Sequence, residues 1–464
     1  MSESPSAHPY IPNSAPEIKR AMLDAVGVDS VDELYGSIPA RLRYPGLLNL
    51  PDPLRSEYEL RRHVAGVLDR NQSCAERLSF LGGGCWPHYV PAVCDEIVNR
   101  GEFLTAYYGD TYGDHGKMQA LFEYASMMGE LLECDAVSQP TYDWGSAAAT
   151  SISMASRITG RGVALIPASI GAERRSIIEG YCKPWVEIVT IPFDRATGAL
   201  ELESIRNALS GDTACVYLEM PNFLGAIDTQ AQNIAALAKE AGALTVVGVD
   251  PISLGVLEAP PRYGADIVCG DIQPLGIHMH YGGGLAGFVA SNDSEEFVTE
   301  YPMFLIGLGP TAVAGEYGFG EVVWERTSYI QRGDSKEYTG TTQNLWAIAA
   351  GAYLALLGPD GLAELGRTIM ARARYAAGRL DALPGVRAPA LSAPFFKEFV
   401  VDFSDTGRTV AELGAALRER GIFGGLDLSE QYPELGQSAL VCVTEVHTKA
   451  DIDRFADNLA EVLR

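Results

Sequence analysis

Apolar positions change their period along the chain, and the changes divide it into three parts. Near the start, "SAPEIKRAMLDAVGV" repeats apolar residues at helical spacing behind Ser14 and Pro16, which predicts a capped helix. "SVDELYGSI" predicts a second, shorter one, and "PSAHPYIPN" reads as an extended arm suited to wrapping another surface. Further on the pattern alternates. Helical stretches such as "GKMQALFEYASMMGELLE", "SAAATSISMASRIT" and "TQAQNIAALAKEAG" are interleaved with short apolar runs, "GVALIPAS", "EIVTIPF", "TACVYLEMPN", "ALTVVGVDP", "GADIVCGD" and "GLAGFVAS". Continuously apolar strands between helices predict a mostly parallel sheet with helices on both faces, an α/β domain. A long helical stretch, "NLWAIAAGAYLALLGPDGLAELGRTIMARARYAAGRLDAL", is broken near Gly358-Pro359. "FFKEFVVDF", "TVAELGAALRERGI", "SALVCVTEVH" and "KADIDRFADNLAEVL" then predict a small α+β domain. The expected organisation is an N-terminal helical arm over 1–80, a large α/β domain over 81–350, and a connecting helix with the small domain over 351–464.

Charge narrows the partners. The 464 residues carry a formal charge of −25, with 35 Lys and Arg against 60 Asp and Glu. Such a surface repels phosphate backbones and anionic lipid, so neither nucleic acid nor membrane is an expected partner. No apolar run is long enough to predict a transmembrane helix, and the polar, proline-rich start does not read as a signal peptide. The eight scattered cysteines include no CxxC pair, which points to reduced, mostly buried thiols and a cytoplasmic location.

The three-part pattern suggests a type I (aspartate aminotransferase-like) fold of pyridoxal-phosphate enzymes. These enzymes place an acid at a strand end against the pyridine nitrogen and a Schiff-base lysine some tens of residues later. Asp250, at the end of "LTVVGVD", has the position of the acid. The lysine is missing. The seven lysines are residues 19, 117, 183, 239, 336, 397 and 449, and the expected place reads Gln273-Pro274-Leu275. Arginine cannot replace it, because it stays protonated. In this reading Asp250, Gln273 and His280 are vestigial, and Asp250 either accepts backbone hydrogen bonds or sits in solvent. His278 and His280 would share one strand face. No Cys, Asp or Glu lies nearby at ligand spacing, so no metal is expected.

Collinear segments carry a family resemblance over nearly the whole chain. "YIPNSAPEIKRAMLDAVGVDSVDELYGSIP", "FLGGGCWPHYVPAVCDEIVNRGEFLTAY", "YLEMPNFLGAID", "VDPISLG", "APFFKEFVV" and "GGLDLSEQYPELGQSALVCVTEVHTKADIDR" resemble subunit 1 of the two-subunit glycine decarboxylase, the P-protein of the glycine cleavage system. The resemblance implies a glycine dehydrogenase (aminomethyl-transferring), an oxidoreductase, that is inactive as this chain alone. Pyridoxal 5'-phosphate would be held covalently by a homologous, lysine-bearing second subunit in an αβ or α2β2 assembly. CO2 would leave glycine, and the aminomethyl group would pass to a lipoyl carrier protein.

This chain would then supply one wall of the partner's site. Gly340-Thr341-Thr342 precedes a helix, and hydroxyls with free N–H groups at a helix start suit an anion. Thr341, Thr342 and Gln343, with Gly283 of the glycine run, are the candidates for the phosphate of the partner-bound cofactor; a plain helix cap is the alternative. Tyr107, Tyr108, His115 and Lys117 lie in "TAYYGDTYGDHGKM", a loop that suits either a substrate pocket or plain surface. Tyr142 precedes Asp143 and Ser146 at another helix start, where the last two also read as a simple cap. The segments "AYYGDTYGDHG", "SKEYTGTT" and "YDWGSA" depart from the family pattern. Two alternatives therefore stand beside glycine decarboxylation: a paralogous subunit acting on another amino acid, and a non-catalytic scaffold or regulatory subunit.

Overall fold

The computed structural model describes residues 10–44, 46, 48–104, 115–322, 327, 337, 339, 340 and 342–464. The chain separates into two compact units, Met1–Asn71 and Gln72–Arg464. In the first, Pro16–Val26 forms a helix that ends at Gly27 in the left-handed conformation (φ 78°). Ser14 is not its cap, contrary to the sequence reading. Its hydroxyl donates to the Ile11 carbonyl at 2.7 Å, and the helix starts instead on Pro16, whose missing N–H costs nothing at that position. Val31–Leu34 and Glu57–Leu68 are also helical. No described residue of this unit is buried, and Ile18, Met22, Val26, Tyr58 and Leu60 are exposed.

The second unit is built on a seven-stranded sheet. Its spatial order is Ala136–Val137, Gly287–Ser291, Ile267–Asp271, Leu244–Val249, Thr213–Met220, Val163–Pro167 and Glu187–Ile191. The last five run parallel, and Gly287–Ser291 runs antiparallel to both its neighbours. All six strands expected from apolar runs are present within a few residues of their predicted ends. An antiparallel hairpin, Ile306–Pro310 with Tyr317–Glu321, was not expected, because its glycine-rich sequence lacks an apolar run.

Successive strand residues point to opposite faces, and both faces are covered. Val216, Leu218, Val247, Val249 and Val268 join one core with the helices His115–Leu132 and Asn344–Asp381. Cys215, Tyr217, Val246, Ile267 and Cys269 join the other with Trp144–Thr159. That last helix is buried along Trp144–Ala155, and its alanines let it lie close to the sheet. Asn344–Asp381 is interrupted at Gly358 (φ 58°, ψ −176°), just before Pro359, as its sequence predicts. By length and mean hydropathy it could cross a membrane, but its buried residues pack against the sheet core.

The C-terminal layer is a three-stranded antiparallel sheet of Glu398–Asp402, Ser438–Cys442 and Leu426–Asp427, backed by Val410–Glu419 and Lys449–Val462. A tight turn at Gly225 presses the large sheet's loops against it. Gly225 has φ +84°, and a Cβ there would lie 2.0 Å from the Glu398 carbonyl oxygen. Gly225→Ala is therefore expected to cost about 3 kcal/mol or more, read as a lower denaturant midpoint of the full chain. A midpoint within error of the parent would show that this contact yields freely.

Candidate functional site

The connection between Glu187–Ile191 and Thr213–Met220 returns across Val163–Pro167, so the strand order reverses there. In open α/β sheets the crevice at the carboxyl ends beside such a reversal is where ligands bind. Three carboxylates stand at these ends: Glu219, Asp250 and Asp271, all buried. Each is met by an internal partner.

Asp250 caps the turn that follows its strand, with Oδ1 accepting from the Ile252 N–H at 3.2 Å. Its Oδ2 lies 2.8 Å from the Lys397 Nζ, and the two side chains are 4% and 3% exposed. The Lys397 ammonium also lies 3.0 Å from His88 Nε2 and 3.5 Å from the Trp86 ring centroid. His88 Nδ1 is 2.9 Å from Glu445 Oε2, and the Tyr89 N–H donates to Glu445 Oε1 at 2.7 Å. Burial opposes the Glu445 charge. The His88 ring and the Tyr89 N–H outweigh it and bring the carboxyl down to about 2.

Glu219 is paired with Arg174 at 2.6 Å, and the Arg174 guanidinium lies 3.9 Å from the Trp144 ring centroid. The Trp144 Nε1–H donates to the Tyr217 hydroxyl at 3.1 Å, which places the indole over the strand ends. Asp271 faces the start of the helix Trp144–Thr159. Its oxygens accept from the N–H groups of Trp144 (3.1 Å), Gln273 (2.9 Å) and Ala286 (3.1 Å). Burial pushes its carboxyl up to about 6 against those three donors. Asp143 and Ser146 complete a capping box, so the first N–H groups of the helix are taken up by carboxylates of the chain itself.

Gln273, where a lysine would be expected, is buried and fully used. Its Oε1 accepts from the Trp86 N–H at 3.0 Å, and its Nε2 donates to the carbonyls of Trp86 and Ile277, each at 3.1 Å. It fastens the segment that carries Trp86 and His88. Between Trp86, Trp144, Asp250 and Lys397 about 20 Å³ is left, room for roughly one water. A neighbouring cavity of about 300 Å³ opens beyond Trp144, beside Gly83, Cys85, Arg174 and Gln431. Burial raises the Cys85 thiol to about 12, so it carries no thiolate for nucleophilic chemistry.

The other expected residues lie elsewhere. Asp250 does not reach solvent; it accepts a backbone hydrogen bond, as expected, and gains a lysine that was not foreseen. His278 and His280 do not share a strand. His278 pairs with Asp95 at 2.9 Å, while His280 (φ 43°) stacks on Trp346 at 5.4 Å. No metal-binding group of three or more side chains exists among the described residues. Gly283 is exposed and donates its N–H to the His280 carbonyl at 3.1 Å. Tyr142 is 44% exposed and Lys117 is buried. Thr342 and Gln343 sit at the start of Asn344–Asp381, whose N-cap, Gln343, makes no side-chain bond. The Thr342 hydroxyl has no hydrogen-bond partner. Tyr107, Tyr108, Thr341 and the His115 side chain lie outside the described residues.

Lys397, Trp86, His88, Glu445, Arg174, Glu219 and Asp271 were not singled out from sequence as site residues. A signal was present for one of them: Lys397 is a charge set between two phenylalanines and an apolar strand in "FFKEFVV".

The mostly parallel sheet, the acid at a central strand end and the small C-terminal layer define the type I fold of pyridoxal-phosphate-dependent enzymes. A sphingosine-1-phosphate lyase from Burkholderia pseudomallei shares the fold, with a TM-score of 0.63 at 18% identity over 92% of this chain and 94% of that one. The likeness narrows beyond fold. The family model for the glycine cleavage system P-protein matches residues 8–459. A crystal structure of glycine decarboxylase (P-protein) of the glycine cleavage system, in inhibitor-bound form, matches with a TM-score of 0.84 at 32% identity and full coverage of both chains. Probable glycine dehydrogenase (decarboxylating) subunit 1 of Staphylothermus marinus is 38% identical over 98% of each chain. That of Geobacillus kaustophilus is 36% identical over 98% of this chain and 99% of its own. The chain belongs to the glycine cleavage system P-protein family.

The cofactor that the fold implies does not fit this chain's own cleft. Gln273 stands where the lysine is expected, the acid is paired with Lys397, the helix start is met by Asp271, and Trp144 lines the small cleft with Asp250 and Lys397. Gln273→Lys in the purified chain is accordingly expected to yield no borohydride-stable pyridoxal-phosphate adduct at residue 273 by peptide mass spectrometry, whatever label the exposed lysines take up. Appearance of the adduct would mean that the cleft opens. The Glu445 carboxyl, at about 2 when folded, supplies stability that is complete above the ordinary carboxylate range and is lost as pH falls from about 4.5 to 2. Glu445→Gln should lower the melting temperature at neutral pH and flatten its decline over that acid window. A parallel decline in both proteins would remove Glu445 from the acid response.

Proposed function

We propose that this chain is the non-lysine-bearing subunit of a heteromeric glycine decarboxylase, forming one wall of a site whose pyridoxal phosphate is carried by a homologous second subunit. The observation that carries the reading is Gln273, which stands at the lysine position and is committed to Trp86 and Ile277. The relatives' name, subunit 1, supports a second subunit. The acceptor of the aminomethyl group would be a lipoyl carrier, and the setting cytoplasmic. In such a site the cofactor, when bound, withdraws electrons from the carbon that loses CO2.

The part left to this chain is to bind and to position. The start of the helix Asn344–Asp381 carries a buried Thr342 hydroxyl without a partner, a donor that suits a phosphate at a helix N-terminus. Thr341, Thr342 and Gln343 are assigned to the partner's cofactor phosphate on this ground. Gly283 fits that role less well, since its N–H is already donated. Tyr107, Tyr108, His115, Lys117 and Tyr142 are proposed for the substrate side of the wall. Trp144, one of the three departures from the family pattern, packs over this chain's own strand ends, which gives that change a reason unconnected with substrate.

Co-purification with the second subunit tests the proposal. The complex should be yellow, and it should exchange the glycine carboxyl carbon with CO2 when lipoyl carrier is supplied; neither subunit alone should do so. A yellow complex that ignores glycine would favour the paralogue acting on another amino acid, and a colourless one the scaffold. Within an active complex, Thr342→Val should weaken pyridoxal-phosphate affinity about tenfold, the loss of one charge-assisted hydrogen bond. An unchanged affinity would remove Thr342 from the phosphate site.

A further inference from the structure

We infer that Lys397 is an internal cation clamp: its ammonium occupies the position facing Asp250 and thereby holds the C-terminal layer shut against the large sheet. Asp250 ends the strand Leu244–Val249, and Lys397 immediately precedes the strand Glu398–Asp402. The 2.8 Å contact between them joins the two layers.

The surroundings show that the amine is spent. An ammonium group has three protons and three directions in which to use them. One faces His88 Nε2 at 3.0 Å, and the ammonium rests on the Trp86 ring at 3.5 Å; its charge lies 2.8 Å from Asp250 Oδ2, an ion pair rather than an aligned hydrogen bond. A carbonyl carbon would need space beside the amine. The remaining 20 Å³ or so gives it none. Lys397 is therefore no substitute for the missing Schiff-base lysine.

Burial explains why the pair must stay together. Removing one member leaves the other as an uncompensated charge in an apolar site, which costs far more than the pair itself gains. The His88 contact extends the clamp to Glu445, which follows the strand Ser438–Cys442 of the C-terminal sheet. Trp86 and His88 are themselves fastened through Gln273 and Glu445. Swinging the C-terminal layer away from the large sheet would expose both charges together and break these bonds.

The test uses the full chain alone. It needs neither cofactor nor second subunit, so its outcome is separate from that of the proposed function. Lys397→Ala, Lys397→Met and Asp250→Asn should each lower the melting temperature by about 5 °C or more. Hydrogen exchange should rise across 398–402. The double variant Asp250→Asn/Lys397→Met should recover part of that loss, because no lone charge remains. Truncation to alanine removes the equivalent of a propylammonium ion. Added n-propylammonium should therefore restore at least half of the lost melting temperature of Lys397→Ala, and 1-propanol should not. Single variants as stable as the parent would overturn the clamp, as would equal rescue by amine and alcohol. If Lys397→Ala does not fold, the double variant decides: a protein less stable than Lys397→Met shows that the two groups do not compensate each other.

Discussion

A carboxylate at the end of a central strand, out of reach of water, must find a partner inside the protein. That requirement organises the centre of this molecule. Asp250 is placed by the turn after Leu244–Val249, and its charge would be prohibitive alone. In a cofactor-bearing relative of this fold the ring nitrogen can meet the requirement. Here it is met by Lys397, reached from the C-terminal layer, and the approach of that residue fixes how the lead-in segment with Trp86 and His88 must lie. The same logic runs along the strand ends, where Arg174 serves Glu219 and the helix start at Trp144 serves Asp271. Each of these three carboxylates is met from inside the chain.

Beside Asp250 and Lys397 about 20 Å³ is left, whereas a cavity of about 300 Å³ borders Asp271, Arg174 and the start of the helix at Trp144. The start of the helix Asn344–Asp381 differs, since its Thr342 hydroxyl and Asn344 Oδ1 are buried without a partner. The polar atoms of the two places contrast. Around Asp271 the backbone donors are taken, whereas at Thr342 a hydroxyl is left over.

Much of the fold was legible in the sequence because burial on both faces writes itself as unbroken apolar runs. "TACVYLEM" and "LTVVGV" are strands for that reason, and the break at Gly358-Pro359 follows from backbone chemistry. Asp250, Gln273 and the Asp143–Ser146 cap could be located because each has a position relative to an element: a strand end, a missing lysine, a helix start. The occupants could not. Lys397 meets Asp250 across a large separation in sequence, and no local period encodes a contact between distant segments. His280 misled for a related reason. Alternation suggested a strand, but the chain there enters left-handed backbone at His280 and Tyr281, and the glycines after them allow the turn. Ser14 shows the limit of cap rules, since a proline one turn ahead of the apolar stripe sufficed to start the helix without it.

The clamp also bears on how such a protein can change over generations. Replacing Gln273 by lysine restores an amine but leaves Lys397 on the acid and Trp144 across the strand ends. Replacing Lys397 first exposes a lone buried carboxylate and puts folding at risk before any cofactor is gained. Neither replacement alone clears the cleft, and only several together could do so. The contacts around Asp250 therefore constrain the order in which such replacements could be tolerated: the buried pair resists being taken apart one member at a time.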